Sequence, residues 1–390
     1  MKPAFELSDD QKLILDSADK YARERLYPLS QRMDDEEWFP ETEFRALGKE
    51  GYLGITVPPE LGGAGLSLWD SGLVLQAFSR WNHAFALSWV AHENLCLNNI
   101  YRNADPALQS RYLPGLCDGS LIGALGLTEP GAGSDALGSM ATTAVRDGED
   151  YIINGRKLYI TNGPVADVIL LYCKTNPEDG AHGISAFVVE MDSPGVSVTQ
   201  KLKKMGFRGS PTAELAFEDC RVPAKNIVGK ENEGVRCVMS GLDLERAMIS
   251  PLCVGIAERA VSLSVDYSRQ REQFGQPIAN FQMVQSHLAD MYVEMDTMKI
   301  YNWRCLSSLD ELRPGEGGRG WAHKLSAASV MYCANGLNKV LDHASQVHGG
   351  YSYIWETELN RLYRSIKLLE IGAGTTEVRK IIIAEELLKE

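Results

Sequence analysis

The chain reads as a multidomain α and β protein: an N-terminal helical domain over residues 1–121, a central antiparallel β-barrel-like domain over 122–234, and a C-terminal four-helix bundle over 235–390. Three observations predict it. Apolar residues recur at helical spacing up to about Leu121; the period then shortens to a strand-like one while hairpin-type dipeptides cluster; and long helical runs resume beyond Gly234. With 390 residues, 44% of them apolar, the chain can bury a sizeable core, and its length allows two or three domains.

The first helix is announced by Ser8-Asp9-Asp10-Gln11, where Ser8 can cap the helix and Gln11 stands three residues on, as a capping box requires. Further helices are expected from Trp69 to Arg80 and from Ala84 to Tyr101. Between them Pro58-Pro59-Glu60-Leu61-Gly62-Gly63-Ala64-Gly65 reads as a loop, because two prolines and three glycines break either regular structure. In the middle region Asp147-Gly148, Asn154-Gly155 and Asn162-Gly163 are hairpin-type dipeptides. They flank short strands near Tyr151–Ile153, Val168–Tyr172, Ser185–Glu190 and Glu214–Phe217. The last region carries helical runs over about Leu242–Tyr267, Gln282–Leu309 and Trp321–Val347, and a final helix from Thr376 to Leu388. The segment Arg313-Pro314-Gly315-Glu316-Gly317-Gly318-Arg319-Gly320 is a polar connection between two of them.

Composition narrows the function. A net charge of -13 leaves no basic face for a phosphate backbone, which argues against nucleic acid as a partner. No run approaches the roughly 18 to 20 consecutive apolar residues of a membrane span, and the opening residues lack the apolar core of a secretion signal, so a cytoplasmic protein is expected. The eight cysteines are scattered without Cys-x-x-Cys spacing or a complementary His, so they read as reduced core thiols and no metal site is expected.

Thr128-Glu129-Pro130-Gly131-Ala132-Gly133-Ser134-Asp135 follows the first expected strand. Its glycines permit close backbone approach and its hydroxyls can donate hydrogen bonds, which suits a polar ring edge, although composition alone favours an ordinary turn between strands. Taken in order, this loop, Tyr159-Ile160-Thr161-Asn162-Gly163, Lys204-Met205-Gly206-Phe207-Arg208-Gly209-Ser210, Arg271-Glu272-Gln273-Phe274-Gly275 with Phe281-Gln282, and Gln346-Val347-His348-Gly349-Gly350-Tyr351 resemble the acyl-CoA dehydrogenase family over essentially the whole chain.

That resemblance implies an FAD enzyme that removes hydrogen from the α and β carbons of an acyl-CoA and passes electrons to an electron-transfer flavoprotein. It implies flavin contacts at Leu127, Thr128 and Ser134 on one side and Tyr159 and Thr161 on the other. Arg271, Phe274, Gln282, Gln346, Gly349 and Gly350 would meet the FAD of a neighbouring subunit, with Thr375 and Glu377 near its nucleotide part, so a homotetramer built as a dimer of dimers is implied. An Arg beside a pyrophosphate is physically apt, because its planar fork pairs with phosphate oxygens. On composition alone Arg271 is a solvated charge and Gly349-Gly350 a helix stop.

The implied reaction needs a carboxylate that takes the α proton while hydride leaves the β carbon, and an ordinary Glu with a pKa of about 4.3 is a poor match. Burial must raise it, and hydrogen bonds to the thioester oxygen must stabilise the enolate. Most of the family places this Glu directly before a Gly-Thr, where Ile371-Gly372-Ala373-Gly374-Thr375 has Ala373 instead. Isovaleryl-CoA dehydrogenase-like members carry it on the first long helix of the bundle, in a segment resembling Gly241-Leu242-Asp243-Leu244-Glu245-Arg246. The resemblance therefore nominates Glu245 as the base. The alternative is an acidic residue in a first helical turn that complements the dipole.

The same resemblance puts Asp243, Arg246, Ser134, Ala373 and Gly374 against the substrate, with Arg246 either touching the pantetheine or setting the charge near Glu245. Ala373 vacates side-chain volume that a short or branched acyl chain can use. Tyr159, Glu93, Ser352 and Ser365 depart from the isovaleryl pattern, and Glu93 is expected to alter the depth or polarity of the acyl pocket. A longer branched acyl group of citronellyl type, a carrier-protein-bound acyl group, a direct use of oxygen on the same scaffold and a catalytically silent acyl-CoA-binding subunit remain as alternatives.

Overall fold

The computed structural model describes residues 6–313 and 316–389; the opening residues 1–5 and Pro314-Gly315 of the expected polar connection lie outside it. Helices come first: α1 (Asp9–Tyr21), α2 (Ser30–Glu36), α3 (Glu41–Ala46), α4 (Leu68–Trp81), α5 (His83–Val90), α6 (Asn98–Asn103) and α7 (Pro106–Asp118). Strands follow: β1 (Gly123–Gly126), β2 (Thr143–Asp147), β3 (Asp150–Thr161), β4 (Val168–Lys174), β5 (Ile184–Glu190), β6 (Val196–Lys201), β7 (Thr212–Pro223) and β8 (Ile227–Val228). The chain then forms α8 (Gly234–Gln270), the short hairpin β9 (Glu272–Gln273) and β10 (Gln276–Pro277), and helices α9 (Gln282–Leu309), α10 (Gly320–His348), α11 (Glu358–Ser365), α12 (Lys367–Ile371) and α13 (Thr376–Leu387).

The local signals act as expected at the first helix. The Ser8 hydroxyl accepts from Gln11 N at 3.2 Å, and the Gln11 side chain accepts from Ser8 N at 3.0 Å. A single backbone path runs through α5 and α6, but a π-helical segment, Ala91–Leu97, interrupts it, with Asn98 N–H donating to the Glu93 carbonyl. The extra residue rotates the face of this path. Glu93 thereby points at the turn before the Pro58–Gly65 loop, where its carboxylate accepts from Gly54 N (2.9 Å) and Ile55 N (2.7 Å).

The middle region forms the expected, mostly antiparallel β domain, with two parallel pairings added. Its sheet runs β6-β7-β3-β2-β4-β5-β8, and β1 pairs with β4 in parallel, as does β2 at Thr143↔Lys174. The end strands β6 and β8 do not pair with each other among the described residues, so hydrogen bonds do not close a barrel. Of the three dipeptides only Asp147-Gly148 makes a hairpin turn, with Asp147 opposite Asp150. Asn154-Gly155 lies inside β3 at a register shift: a Cβ on Gly155 would fall 2.3 Å from Thr142 Oγ1, and the Asn154 side chain is held across the sheet by Asp219. Asn162-Gly163 ends β3, with Asn162 in a left-handed conformation.

One apolar core joins the first and last helical regions, including Phe44, Phe78, Phe85 and Trp89 from the first and Leu244, Met248, Leu252 and Leu337 from the second. Two others cover the inner and outer faces of the sheet. Helix α8 is long and apolar enough on average to cross a membrane, yet 67% of its most apolar stretch is buried inside the fold, which fits a central core helix. All eight cysteines are buried and free. Helices α4 and α8 approach so closely that a Cβ on Gly255 would sit 2.0 Å from Ser79 Oγ and 2.2 Å from the Gln76 carbonyl oxygen. Gly255→Ala is therefore expected to cost about 1–3 kcal/mol by overpacking, read as a lower Tm in calorimetry; an unchanged Tm would show that the α4–α8 seam tolerates a wider spacing.

Candidate active site

Two stretches of backbone form the first part of the site. The Thr128–Ser134 loop leaves β1 with Leu127 buried and Ser134 exposed, and it is stitched to β3 on the near side of Tyr159: Leu158 N donates to the Thr128 carbonyl at 2.8 Å. Beneath it lies a buried ion pair. Lys157 Nζ donates to Glu129 Oε1 (2.7 Å) and to the Leu127 carbonyl (3.1 Å), while the Glu129 carboxylate also accepts from Ala141 N (2.6 Å) and Thr142 N (3.0 Å). Burial raises the Glu129 carboxyl, but the Lys157 ammonium and the donors outweigh it and hold the group below its usual range. With the loop held in this way, Tyr159 is 66% exposed in a left-handed conformation beside half-buried Thr161, and Gly131 and Gly133 face open space.

Glu245 occupies the second part. It lies well past the first turn of α8, which begins at Gly234, so the helix-dipole reading of this residue does not hold. The residue as a whole is half-buried, yet packing around its carboxyl dominates: desolvation pushes the pKa up to about 7, against Arg246 and Arg379, which pull it down. Neither arginine forms an ion pair with it among the described residues. Arg246 Nε donates to the Ala373 carbonyl (3.3 Å), and Arg379 Nη2 donates to the carbonyls of Leu369 (3.0 Å) and Gly372 (2.6 Å). The two guanidinium groups thus clamp the turn Ile371–Thr375, in which Ala373 (φ 53) and Gly374 (φ 89) are both left-handed and Thr375 caps α13. The other two carboxylates flanking this turn are otherwise engaged: Glu370 is bound by Asn338 and Lys367, and Glu377 is exposed in the first turn of α13.

Asp243 is fully buried, and protein partners take both of its oxygens, His323 Nδ1 at 2.5 Å and Gly318 N at 2.6 Å, with Arg246 Nη1 at 3.7 Å. The Asp243 carboxylate thus faces His323, the Gly318 turn and Arg246.

A third group collects at the far ends of α8 and α10. Arg271, Phe274, Gln282, Gln346, Gly349 and Gly350 are all exposed, Phe274 to 92%, and Arg271 has no ion-pair partner among the described residues. Tyr267 joins the two ends by stacking on His348 (4.4 Å) and Tyr351 (5.7 Å). No hydrogen bond, ion pair or ring contact links this group to the loop at Thr128 among the described residues. A surface cleft of about 410 Å³ between Trp38, Phe39, Lys204 and Arg208 contains none of these residues.

Models of the N-terminal, middle and C-terminal domains of acyl-CoA dehydrogenase match residues 8–120, 124–220 and 232–388. The chain belongs to the acyl-CoA dehydrogenase family. It is 42% identical over 381 residues to the mitochondrial isovaleryl-CoA dehydrogenase of Pongo abelii, covering 97% of this chain and 88% of that one. Among solved structures, butyryl-CoA dehydrogenase from Megasphaera elsdenii matches with a TM-score of 0.93 at 31% identity, covering 98% and 99% of the two chains. The prolyl acyl carrier protein oxidase AnaB matches at 0.92 and 29%, covering 98% and 100%. An acyl-CoA dehydrogenase is an FAD-dependent oxidoreductase of acyl-CoA thioesters, and the residues present fit that cofactor: glycines opening on free space at Gly131, Gly133, Gly349 and Gly350, a solvent-facing Tyr159, and an unspent guanidinium at Arg271.

In this acyl-CoA dehydrogenase the buried Glu93 carboxylate is held by the Gly54 and Ile55 amides. Ser365 has a structural reason: its hydroxyl accepts from Phe207 N (2.9 Å) and contacts His83, holding the Lys204–Ser210 loop against α11. Sequence reasoning missed Lys157, Arg379 and His323. Lys157 alone left a trace, as a cation on the inward face of β3.

Lys157→Met removes one partner of a buried pair, and about 3–5 kcal/mol of stability should go with it; the purified protein should melt earlier and hold less FAD by its visible absorbance, whereas full FAD occupancy would show that the pair does not hold the loop. Glu245 must be unprotonated to act as a base. With its carboxyl near 7, kcat/KM should fall about ten-fold per pH unit below that value and level off above it. Glu93 is also pushed up to about 7 by burial, so the limb is assigned by its persistence in Glu93→Gln; loss of the limb in that variant would move it to Glu93.

Proposed function

We propose that this acyl-CoA dehydrogenase takes the α proton with Glu245 and acts on a short or branched, isovaleryl-like acyl-CoA. The observation that carries the reading is a desolvated, unpaired Glu245 whose two neighbouring cations, Arg246 and Arg379, also hold the turn that carries Ala373. The Ala373 N–H has no acceptor among the described residues, so it is free to donate to the thioester oxygen where negative charge develops. Its methyl group leaves room that a larger side chain would fill, which suits a branch close to the carbonyl. Arg246 and Arg379 hold the carbonyl side of the same turn, so that the donor is fixed before substrate arrives.

FAD, when bound, accepts the hydride from the β carbon. Leu127, Thr128, Ser134, Tyr159 and Thr161 would hold its ring system, and the exposed Tyr159 edge gives an electron-transfer flavoprotein access to it. The separation of Arg271, Phe274, Gln282, Gln346, Gly349 and Gly350 from that loop supports their serving the FAD of a neighbouring subunit, with Thr375 and Glu377 near its nucleotide part, in a tetramer of two dimers. A second reading, in which the acyl group rides on a carrier protein and oxygen takes the electrons, draws on the likeness to the prolyl acyl carrier protein oxidase.

A panel of straight, branched and terpenoid acyl-CoAs and one carrier-bound acyl group, assayed with an artificial acceptor, distinguishes these readings. Branched short chains should give the highest kcat/KM, and Glu245→Gln should lose about 10²–10⁴-fold in kcat. A near-normal Glu245→Gln would end the assignment of the base, and straight chains clearly outperforming branched ones would end that of the substrate. Peroxide released at the rate of turnover in air would favour the oxidase.

A further inference from the structure

We propose that His323 is a positioning residue for this reaction, acting through Asp243 and Arg246 on the turn that carries Ala373; this rests on the proposed roles of Glu245 and Ala373. The residue is 5% exposed near the start of α10 and is separated from its partner by 80 residues of sequence. Its geometry fixes its tautomer. A carboxylate oxygen can only accept, so the imidazole must carry a hydrogen on Nδ1 to reach Asp243 Oδ1 at 2.5 Å. Arg246 Nη1, 3.4 Å from the same Nδ1, is a donor facing a donor and makes no bond there.

The consequence lies in a competition for Arg246. Asp243 is fully buried and satisfied without it, by His323 on one oxygen and Gly318 N–H on the other; the Gly318 turn is itself anchored by Gly320 N donating to Glu386. The nearest Asp243–Arg246 approach is therefore a loose 3.7 Å, which leaves the guanidinium free to give its Nε hydrogen to the Ala373 carbonyl at 3.3 Å. An apolar residue at 323 would leave Oδ1 buried without its principal donor, and an unpaired buried charge is expensive. Arg246 is the adjacent cation. Closing 3.7 Å to the about 2.8 Å of a charge-assisted bond draws it roughly 1 Å toward Asp243 and away from a contact with Ala373 that is already long. The turn holding the thioester donor would then shift, and an ångström of misplacement can cost about 10²-fold in rate.

The test uses the FAD-loaded enzyme with isovaleryl-CoA and an artificial acceptor, in His323→Leu, His323→Ala, His323→Asn and Glu245→Gln. The leucine and alanine variants should lose at least about ten-fold in kcat with KM within about three-fold of wild type and full FAD content, because the lost interaction belongs to the reacting geometry. The Asn variant returns an N–H to Asp243 and should recover kcat to within about three-fold. Wild-type kcat in His323→Leu, equal impairment in His323→Asn, unchanged turnover per bound flavin, or failure of both the leucine and alanine variants to fold with FAD would each overturn the proposal. If Glu245→Gln is inactive while His323→Leu is normal, this inference alone fails; if Glu245→Gln turns over normally while His323→Leu is impaired and His323→Asn recovers, the base assignment alone fails.

Discussion

In its proposed role as base, Glu245 must be desolvated enough to hold a proton near neutral pH, yet not captured by the cations that make its burial tolerable. A direct ion pair would stabilise the carboxylate and drop its pKa, which disarms a base. In the structure Arg246 Nε and Arg379 Nη2 donate to backbone carbonyls at Ala373, Leu369 and Gly372 rather than to Glu245. Their charges still act on Glu245 through space, but burial dominates and the group sits near 7. The same two residues therefore hold the turn proposed to receive the thioester oxygen and lower the carboxyl pKa of the proposed base.

The other half of the site uses a buried pair in the opposite way. Lys157 and Glu129 do meet directly, and the carboxylate stays ionised with three donors around it. Nothing here has to move a proton; the pair fixes a loop whose glycines would otherwise leave it loose. Burial of both groups makes the arrangement intolerant of losing either partner. Between these two centres runs α8, pressed against α4 at Gly255 and against Asn99 at Gly241, so the helix that bears Glu245 is set by close contacts on both sides of it.

Much of the helical architecture was legible because its signals are local. The Ser8–Gln11 capping box formed as its spacing implied, and α9 spans Gln282–Leu309, the range its apolar periodicity marks. The sheet was less legible. Asn154-Gly155 has the composition of a hairpin turn but serves as a bulge, because the deciding contact is Thr142, distant in sequence, and the parallel pairing of β1 with β4 leaves no local mark. At the site, Glu245 could be nominated by the family resemblance together with the absence of a Glu at 373. What surrounds it could not: the His323–Asp243 contact spans 80 residues and the Arg246–Ala373 contact 127. Glu93 shows the same limit, since the partners of its carboxylate, Gly54 and Ile55, lie 39 and 38 residues away in sequence.

The claim on which the rest depends is that Glu245 itself takes the α proton. It is tested most directly by exchange of the α hydrogens of bound acyl-CoA into D2O, followed by mass spectrometry under anaerobic conditions with no electron acceptor present. Wild-type enzyme should exchange them, while Glu245→Gln should bind the same acyl-CoA and the same FAD and exchange none above background. Exchange at the wild-type rate in Glu245→Gln would contradict the account and place the base elsewhere.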